Sequence, residues 1–320
     1  MAPQLTIIVP FYNAEKVLPA CLESLRSQTV PVRVLLANDG STDNSPAIAD
    51  TFVANHPFAQ VFHLAHGGVT AARTAALKHV RSPYLAFLDA DDTLEARFSE
   101  AMLSAALQQE ATVVFCPYRC IYDGIPRHVS YDGDTNARFQ GFAPIRHNPT
   151  LLLKIPSFFW GKILKTDYFL RHIRFSAEAL EIEDVTVMYP FLIDVPAISK
   201  IPEPLYRYAI SPTSFCHSPR KELTRLPALR ELHRRFEELG ALPAFLPQLY
   251  ALNRCYLFDQ LERLHNYVDP PHQHRVVREY FHHLDSTLPG WRPHPFHPTF
   301  YAAYWHAVVT WNAIRKKKRS

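Results

Sequence analysis

Apolar residues in the first third of the chain come in short unbroken runs, separated by stretches with one apolar face. Residues 5–10 (LTIIVP) are continuously apolar and rich in β-branched side chains, the pattern of a strand buried on both faces. Val17, Leu18, Cys21, Leu22 and Leu25 then repeat at helical spacing, and Asn13 is placed to cap that helix. A second strand over 32–37 ends in the turn-forming cluster Asn38-Asp39-Gly40-Ser41. The same alternation predicts a helix over 46–54, a strand over 61–64, a helix over 69–79 and a strand over 84–88. A helix over 95–108 and a strand over 112–115 complete it. Strands alternating with helices of about ten residues imply βαβ units and a mostly parallel sheet. From residue 222 onward helical stripes replace strands. Leu223, Leu226, Leu229, Leu232 and Phe236 form one, and Leu249, Leu252, Tyr256, Leu257, Leu261 and Leu264 another. Both read as core.

Composition narrows the class. With 48% apolar and 20% charged residues, the 320-residue chain has the balance of a globular protein. The net charge of +4 is local, because residues 315–319 (RKKKR) carry five positive charges. Without them the body is close to neutral, which argues against a nucleic-acid-binding face. The 5 cysteines are scattered and odd in number, so no disulfide framework is expected. No targeting segment or membrane span is evident, and the expected compartment is the cytoplasm.

Polar residues gather where strands end. Tyr12 and Asn13 follow the first strand, Asp39 the second, and Asp89, Asp91 and Asp92 the strand over 84–88. In a parallel sheet these carboxyl ends share one crevice, where ligands bind. Clustered carboxylates repel one another unless a cation lies between them, and oxygen-only donors suit Mg²⁺ or Mn²⁺. Gly67-Gly68 precedes a helix start that can receive an anion, and Arg73 lies one turn in as a fork for phosphate. Together they point to a nucleoside diphosphate with a metal. For Asp89-Ala-Asp91 alone, a turn with solvated acids is the simpler reading.

Four motifs carry a family resemblance. TIIVPFYNAEKVLPACLESLRSQT (6–29), NDGSTDNS (38–45), HGGVTAARTAALK (66–78) and FLDADD (87–92) resemble, in order and spacing, the family-2 glycosyltransferases of the GT-A fold. The resemblance covers roughly residues 4–115. A weaker one to bacterial capsule and lipopolysaccharide sugar transferases continues through 158–169, 174–192 and 204–214. It implies a mixed, mostly parallel α/β sheet with a C-terminal helical region. The implied division is a nucleotide-sugar-binding half (1–115), an acceptor-binding half (116–220), and a helical region with the basic tail (221–320).

The resemblance also implies roles. Tyr12 would stack on uracil with Pro10 lining the pocket. Asp39 would hydrogen-bond the ring, and Arg73 would touch the base or the phosphates. Asp91 would ligate the metal, with Asp89 on the ribose or a metal-bound water. Thr74 departs from the family, where Asn often stands. The catalytic base is implied in the pair Glu183-Asp184, with Asp184 favoured and Glu183 and Glu181 as alternatives. These acids would equally suit the start of a helix near Val185. Trp160 and Gly161 would belong to a sugar or acceptor pocket, or Trp160 to the core.

The expected function is inverting, metal-dependent transfer from a nucleotide sugar, a UDP-sugar by resemblance, to a glycan or lipid-linked acceptor in surface polysaccharide synthesis. One alternative is a sugar-phosphate nucleotidyltransferase, although residues 9–14 (VPFYNA) lack the glycine-rich loop of that class. Another is a non-catalytic nucleotide- or glycan-binding protein on the same scaffold. Finally, Tyr301, Tyr304, Trp305, Val308 and Trp311 share a helical face just before the basic run. Residues 300–319 would therefore suit the inner face of an anionic membrane, or else pack on the body.

Overall fold

The computed structural model describes residues 2–122, 125–130, 144–175, 182–210, 225–267 and 282. Residues 300–319, read as suited either to a membrane surface or to packing on the body, lie outside them, as do Leu223 and Glu181. The chain divides into two compact units. One comprises residues 1–179 and 187–214, and the other 180–186 and 215–320.

The first unit is built on a seven-stranded sheet. Its elements begin β1 (Leu5–Phe11), α1 (Leu18–Arg26), β2 (Arg33–Asn38), α2 (Ser45–Ala54), β3 (Ala59–His63), α3 (Val69–Leu77) and β4 (Tyr84–Phe87). They continue with β5 (Thr93–Leu94), α4 (Phe98–Gln108), β6 (Val113–Phe115), β7 (Tyr118–Tyr122) and β8 (Ile125–Ser130). Two 3₁₀ turns, Ile145–His147 and Pro149–Lys154, lead to β9 (Lys162–Lys165), α5 (Thr166–His172), β10 (Ile198–Lys200) and β11 (Tyr206–Ile210). The large sheet has the order β10-β6-β9-β4-β1-β2-β3. β1 pairs in parallel with both β2 and β4, as expected for a strand buried throughout its length.

β9 enters antiparallel between β4 and β6, so the sheet is mixed, as the resemblance implied. A second sheet, ordered β5-β11-β7-β8, stands beside the end of β4. Asn13 does not cap α1, whose N-cap is Val17. Instead Asn13 adopts φ +47°, and its Oδ1 accepts from the Thr42 amide at 2.8 Å, tying the loop after β1 to the loop after β2.

The second unit contains α7 (Arg225–Glu238) and α8 (Leu242–Tyr267). Leu226, Leu229, Leu232 and Phe236 are buried along α7, as are Phe245, Leu249 and Leu252 along α8. Phe236 and Phe245 meet edge to face at 5.3 Å. A further helix, α6 (Glu183–Leu192), opens in residues assigned to this unit and continues into those of the first.

Candidate active site

The crevice follows from strand register. Phe11 stands opposite Asn38 and Ile8 opposite Phe87, so the chain leaves β1, β2 and β4 on one edge of the sheet. The last bond between β1 and β4 runs from the Leu88 amide to the Ile8 carbonyl at 3.0 Å. The next position on that side of β1 is Pro10, which has no N–H to extend the ladder. Residues 89–92 therefore turn out of the sheet there and form an acidic corner.

Asp39 is buried at 4% exposure and must find donors for its carboxylate. Oδ1 accepts from the amides of Gly67 at 2.8 Å and Gly68 at 3.1 Å, and Oδ2 from Gly68 at 2.9 Å. The glycine pair was expected to receive a ligand anion. The anion it holds in this structure is the Asp39 side chain, for which two consecutive amides supply the needed hydrogen bonds. Gly40 permits the close approach of the two loops. A Cβ there would lie 2.8 Å from the His66 amide nitrogen, and its φ is +72°.

Tyr12 lies at the mouth of the crevice with 47% of its surface exposed. Its ring stacks on His66 at 4.4 Å with a 30° tilt. Arg73 is buried on α3. Its guanidinium reaches Asp89 Oδ1 at 3.2 Å and sits 4.8 Å from the centre of the Phe159 ring. That cation–π contact holds it from behind. The arginine was expected to meet the base or phosphates, and here it reaches the crevice by way of Asp89.

The three acids of the corner separate by environment. Asp92 is buried. Its Oδ2 accepts the Tyr206 hydroxyl at 2.5 Å and its Oδ1 the Ala209 amide at 2.7 Å, so it fastens β11 to the corner. It does not cap α4, whose N-cap is Arg97. Burial, then the charges of Asp89 and Asp91, hold the Asp92 carboxyl well above the usual range. Asp91 opens to solvent, yet the protein packed around its carboxyl, and then the charge of Asp89, push it up to about 6. Asp89 retains 31% side-chain exposure.

A metal would have to be held by these last two. Among the described residues no three His, Cys, Asp or Glu side chains gather as a cage. One open carboxylate, with a second beside it, nevertheless fits a hard divalent ion that takes most of its ligands from phosphate oxygens and water.

Trp160 is buried at 6% exposure and bridges to Phe87 at the end of β4. It stacks on Phe158 at 4.3 Å, Tyr206 at 4.5 Å and Tyr208 at 5.2 Å, with Tyr118 edge-on at 4.9 Å. The ring is thus part of an aromatic block that supports the acidic corner. Gly161 follows at φ +68°, a conformation that favours glycine, and its carbonyl accepts the Cys116 amide at 3.0 Å. Glu183 and Asp184 form the first turn of α6, where acids complement the helix dipole. Glu183 is buried and Asp184 half-buried, so Asp184 offers the more open carboxylate.

Sequence reasoning missed Tyr206 and His66. Tyr206 joins the corner from 117 residues beyond Asp89, with its hydroxyl 3.5 Å from the Asp89 amide, and no local pattern announces it. His66 lay within a recognised motif, but its partners become visible only when the loops meet.

The mixed, mostly parallel sheet, with polar residues gathered where β1, β2 and β4 end, is a GT-A fold. Residues 6–162, just under half of the chain, match the family model for Glycosyl transferase family 2, and that segment is a family-2 glycosyltransferase domain. A curated relative, the putative glycosyltransferase EpsH of Bacillus subtilis, is 29% identical over 69% of this chain and 65% of its own length. The chain spans only about a third of two further curated relatives. Among solved structures, S. aureus TarS in complex with UDP-GlcNAc aligns with a TM-score of 0.72 at 19% identity, covering 89% of this chain and 81% of that one. The Pyrobaculum calidifontis mannosyltransferase PcManGT, in complex with GDP-Man and Mn²⁺, aligns with a TM-score of 0.56 at 17% identity, covering 100% of this chain and 83% of that one. At these identities the two structures support the fold alone.

Proposed function

We propose that the protein is an inverting glycosyltransferase. It would move a sugar from a nucleotide-sugar donor, a UDP-sugar, to a hydroxyl of a glycan or lipid-linked acceptor in surface polysaccharide synthesis. The observation that carries this reading is the convergence of Tyr12, Asp39 and the Arg73-paired Asp89 with Asp91 on one edge of the sheet. Tyr12 offers an exposed ring for the base, Asp39 an acceptor for a ring N–H, and Pro10 the wall between them.

Asp91, with Asp89, would hold Mg²⁺ or Mn²⁺. When bound, the ion offsets charge that develops on the departing diphosphate. Arg73 keeps Asp89 oriented toward that position. Asp184 takes the proton of the acceptor hydroxyl while its oxygen bonds to the anomeric carbon. The bond from that carbon to the diphosphate oxygen breaks, and the nucleoside diphosphate leaves with the electron pair. Trp160 and Gly161 shape the region behind the corner through packing and backbone geometry.

A panel of nucleotide sugars, titrated by calorimetry with and without Mn²⁺, tests the donor reading. One UDP-sugar is expected to bind with an affinity that Mn²⁺ improves. Asp91→Ala is expected to abolish the Mn²⁺ effect while retaining the fold by circular dichroism. If no nucleotide sugar binds, or if Asp91→Ala keeps the full response to Mn²⁺, the assignment is wrong.

A further inference from the structure

His66 makes the two contacts that the proposed function requires of a nucleobase. Its ring stacks on Tyr12 at 4.4 Å. Its Nδ1 lies 2.9 Å from Asp39 Oδ2 and 3.0 Å from the Asp39 carbonyl oxygen. Both of those atoms accept hydrogen bonds, so Nδ1 carries the proton and donates to them. An aromatic ring on Tyr12 with a ring N–H directed at Asp39 is the arrangement a uracil would adopt through its own imide N–H.

The two rings are already in stacking contact, so a base cannot slide between them. The Asp39 acceptor that a base would use is likewise engaged. A base that takes both contacts must therefore move the imidazole aside. His66 is free to yield, because its side chain is 60% exposed. Its backbone is less free, since Gly40 packs against the His66 amide where a Cβ would stand at only 2.8 Å. The motion required is a side-chain rotation on a fixed backbone.

We propose that His66 is a built-in competitor for the nucleobase seat, displaced by a donor whose base carries a ring N–H, and that it thereby sets base affinity and selectivity. A base without such a donor could take the stack on Tyr12 but could not replace Nδ1–H at Asp39. The inference rests on the reading of Tyr12 and Asp39 as the base site.

The test compares wild type and His66→Ala by calorimetric titration with UDP, whose uracil carries a ring N–H, and with CDP, whose cytosine carries none. Losing one exposed stack and one hydrogen bond from the competitor should tighten nucleotide binding by roughly threefold to tenfold. In wild type, the imidazole NMR signal identified by its absence from His66→Ala should shift when UDP is added. Tighter binding with a moving signal supports the proposal. Unchanged binding overturns it and leaves the donor reading intact. Weaker binding also overturns it, since His66 would then be a direct ally of the base. Absence of binding in both proteins overturns this inference together with the donor reading.

Discussion

Gly40 and Gly68 both have positive φ, +72° and +89°, yet their surroundings differ. A side chain at either position incurs the cost of a left-handed or extended-mirror backbone, about 1 kcal/mol or more. Only at Gly40 would the new Cβ also strike backbone, the His66 amide nitrogen at 2.8 Å, whereas nothing lies within 4 Å of a Cβ at Gly68. Backbone cannot swing away as a flexible side chain can. Gly40→Ala is therefore expected to cost roughly 1–3 kcal/mol more than Gly68→Ala in urea unfolding, because the loops carrying Asp39 and His66 must part. Equal losses for the two variants would show that close approach of these loops is not what fixes glycine at position 40.

Helices and strands were legible in the sequence to the extent that burial leaves a local trace. β1, β2 and β4 were found because strands covered on both faces read as unbroken apolar runs. β9 left almost no trace. Its sequence is KILK, and its first lysine, though buried, donates Nζ to the Phe158 carbonyl at 2.6 Å. The second sheet was equally hidden, because Tyr206 pairs with Tyr118 and Leu94, distant positions that no period connects. Asp39, Asp89 and Asp91 were legible as site chemistry, whereas the way Asp39 occupies the glycine amides needed the loops in place.

The helical stripes of α7 and α8 were legible too, but not the polar pair they enclose. His233 is buried, and Asn253 Nδ2 lies 2.9 Å from its Nε2. Burial lowers the His233 pKa to about 4, against an ordinary 6.5. Between those values the unfolded chain takes up a proton that the folded protein refuses. Stability from this group is therefore complete above pH 6.5 and declines as pH falls toward 4. The loss approaches roughly 3 kcal/mol at the bottom of that window. Urea midpoints measured at pH 7 and pH 5 should show the decline in wild type and a flatter response in His233→Leu. His233→Leu will also be weaker at both values, because it removes one of the two hydrogen-bond partners of the buried Asn253 Nδ2. An unchanged pH response would mean that His233 is not the group that titrates.

The residues proposed for donor binding and the proposed base are assigned to different compact units of the molecule. Tyr12, Asp39, Arg73, Asp89 and Asp91 belong to the first unit, and Glu183 and Asp184 to the short segment 180–186 of the second. If the roles divide as the assignment does, binding and transfer can be separated by mutation. Asp184→Asn preserves size and removes the ability to take a proton, while leaving every donor contact named here untouched. It also leaves Glu183 to complement the start of α6. The variant should bind UDP and Mn²⁺ within about twofold of wild type, and its transfer rate should fall by about 10²–10⁴, the range a positioned general base supplies. Glu183→Gln alters a buried carboxylate and should act chiefly on stability. A transferase assay and a donor titration on the same two variants distinguish these effects. Retained transfer in Asp184→Asn, with loss in Glu183→Gln at unchanged thermal stability, would move the base to Glu183. Loss of donor binding in Asp184→Asn would show that the two functions do not divide between the units.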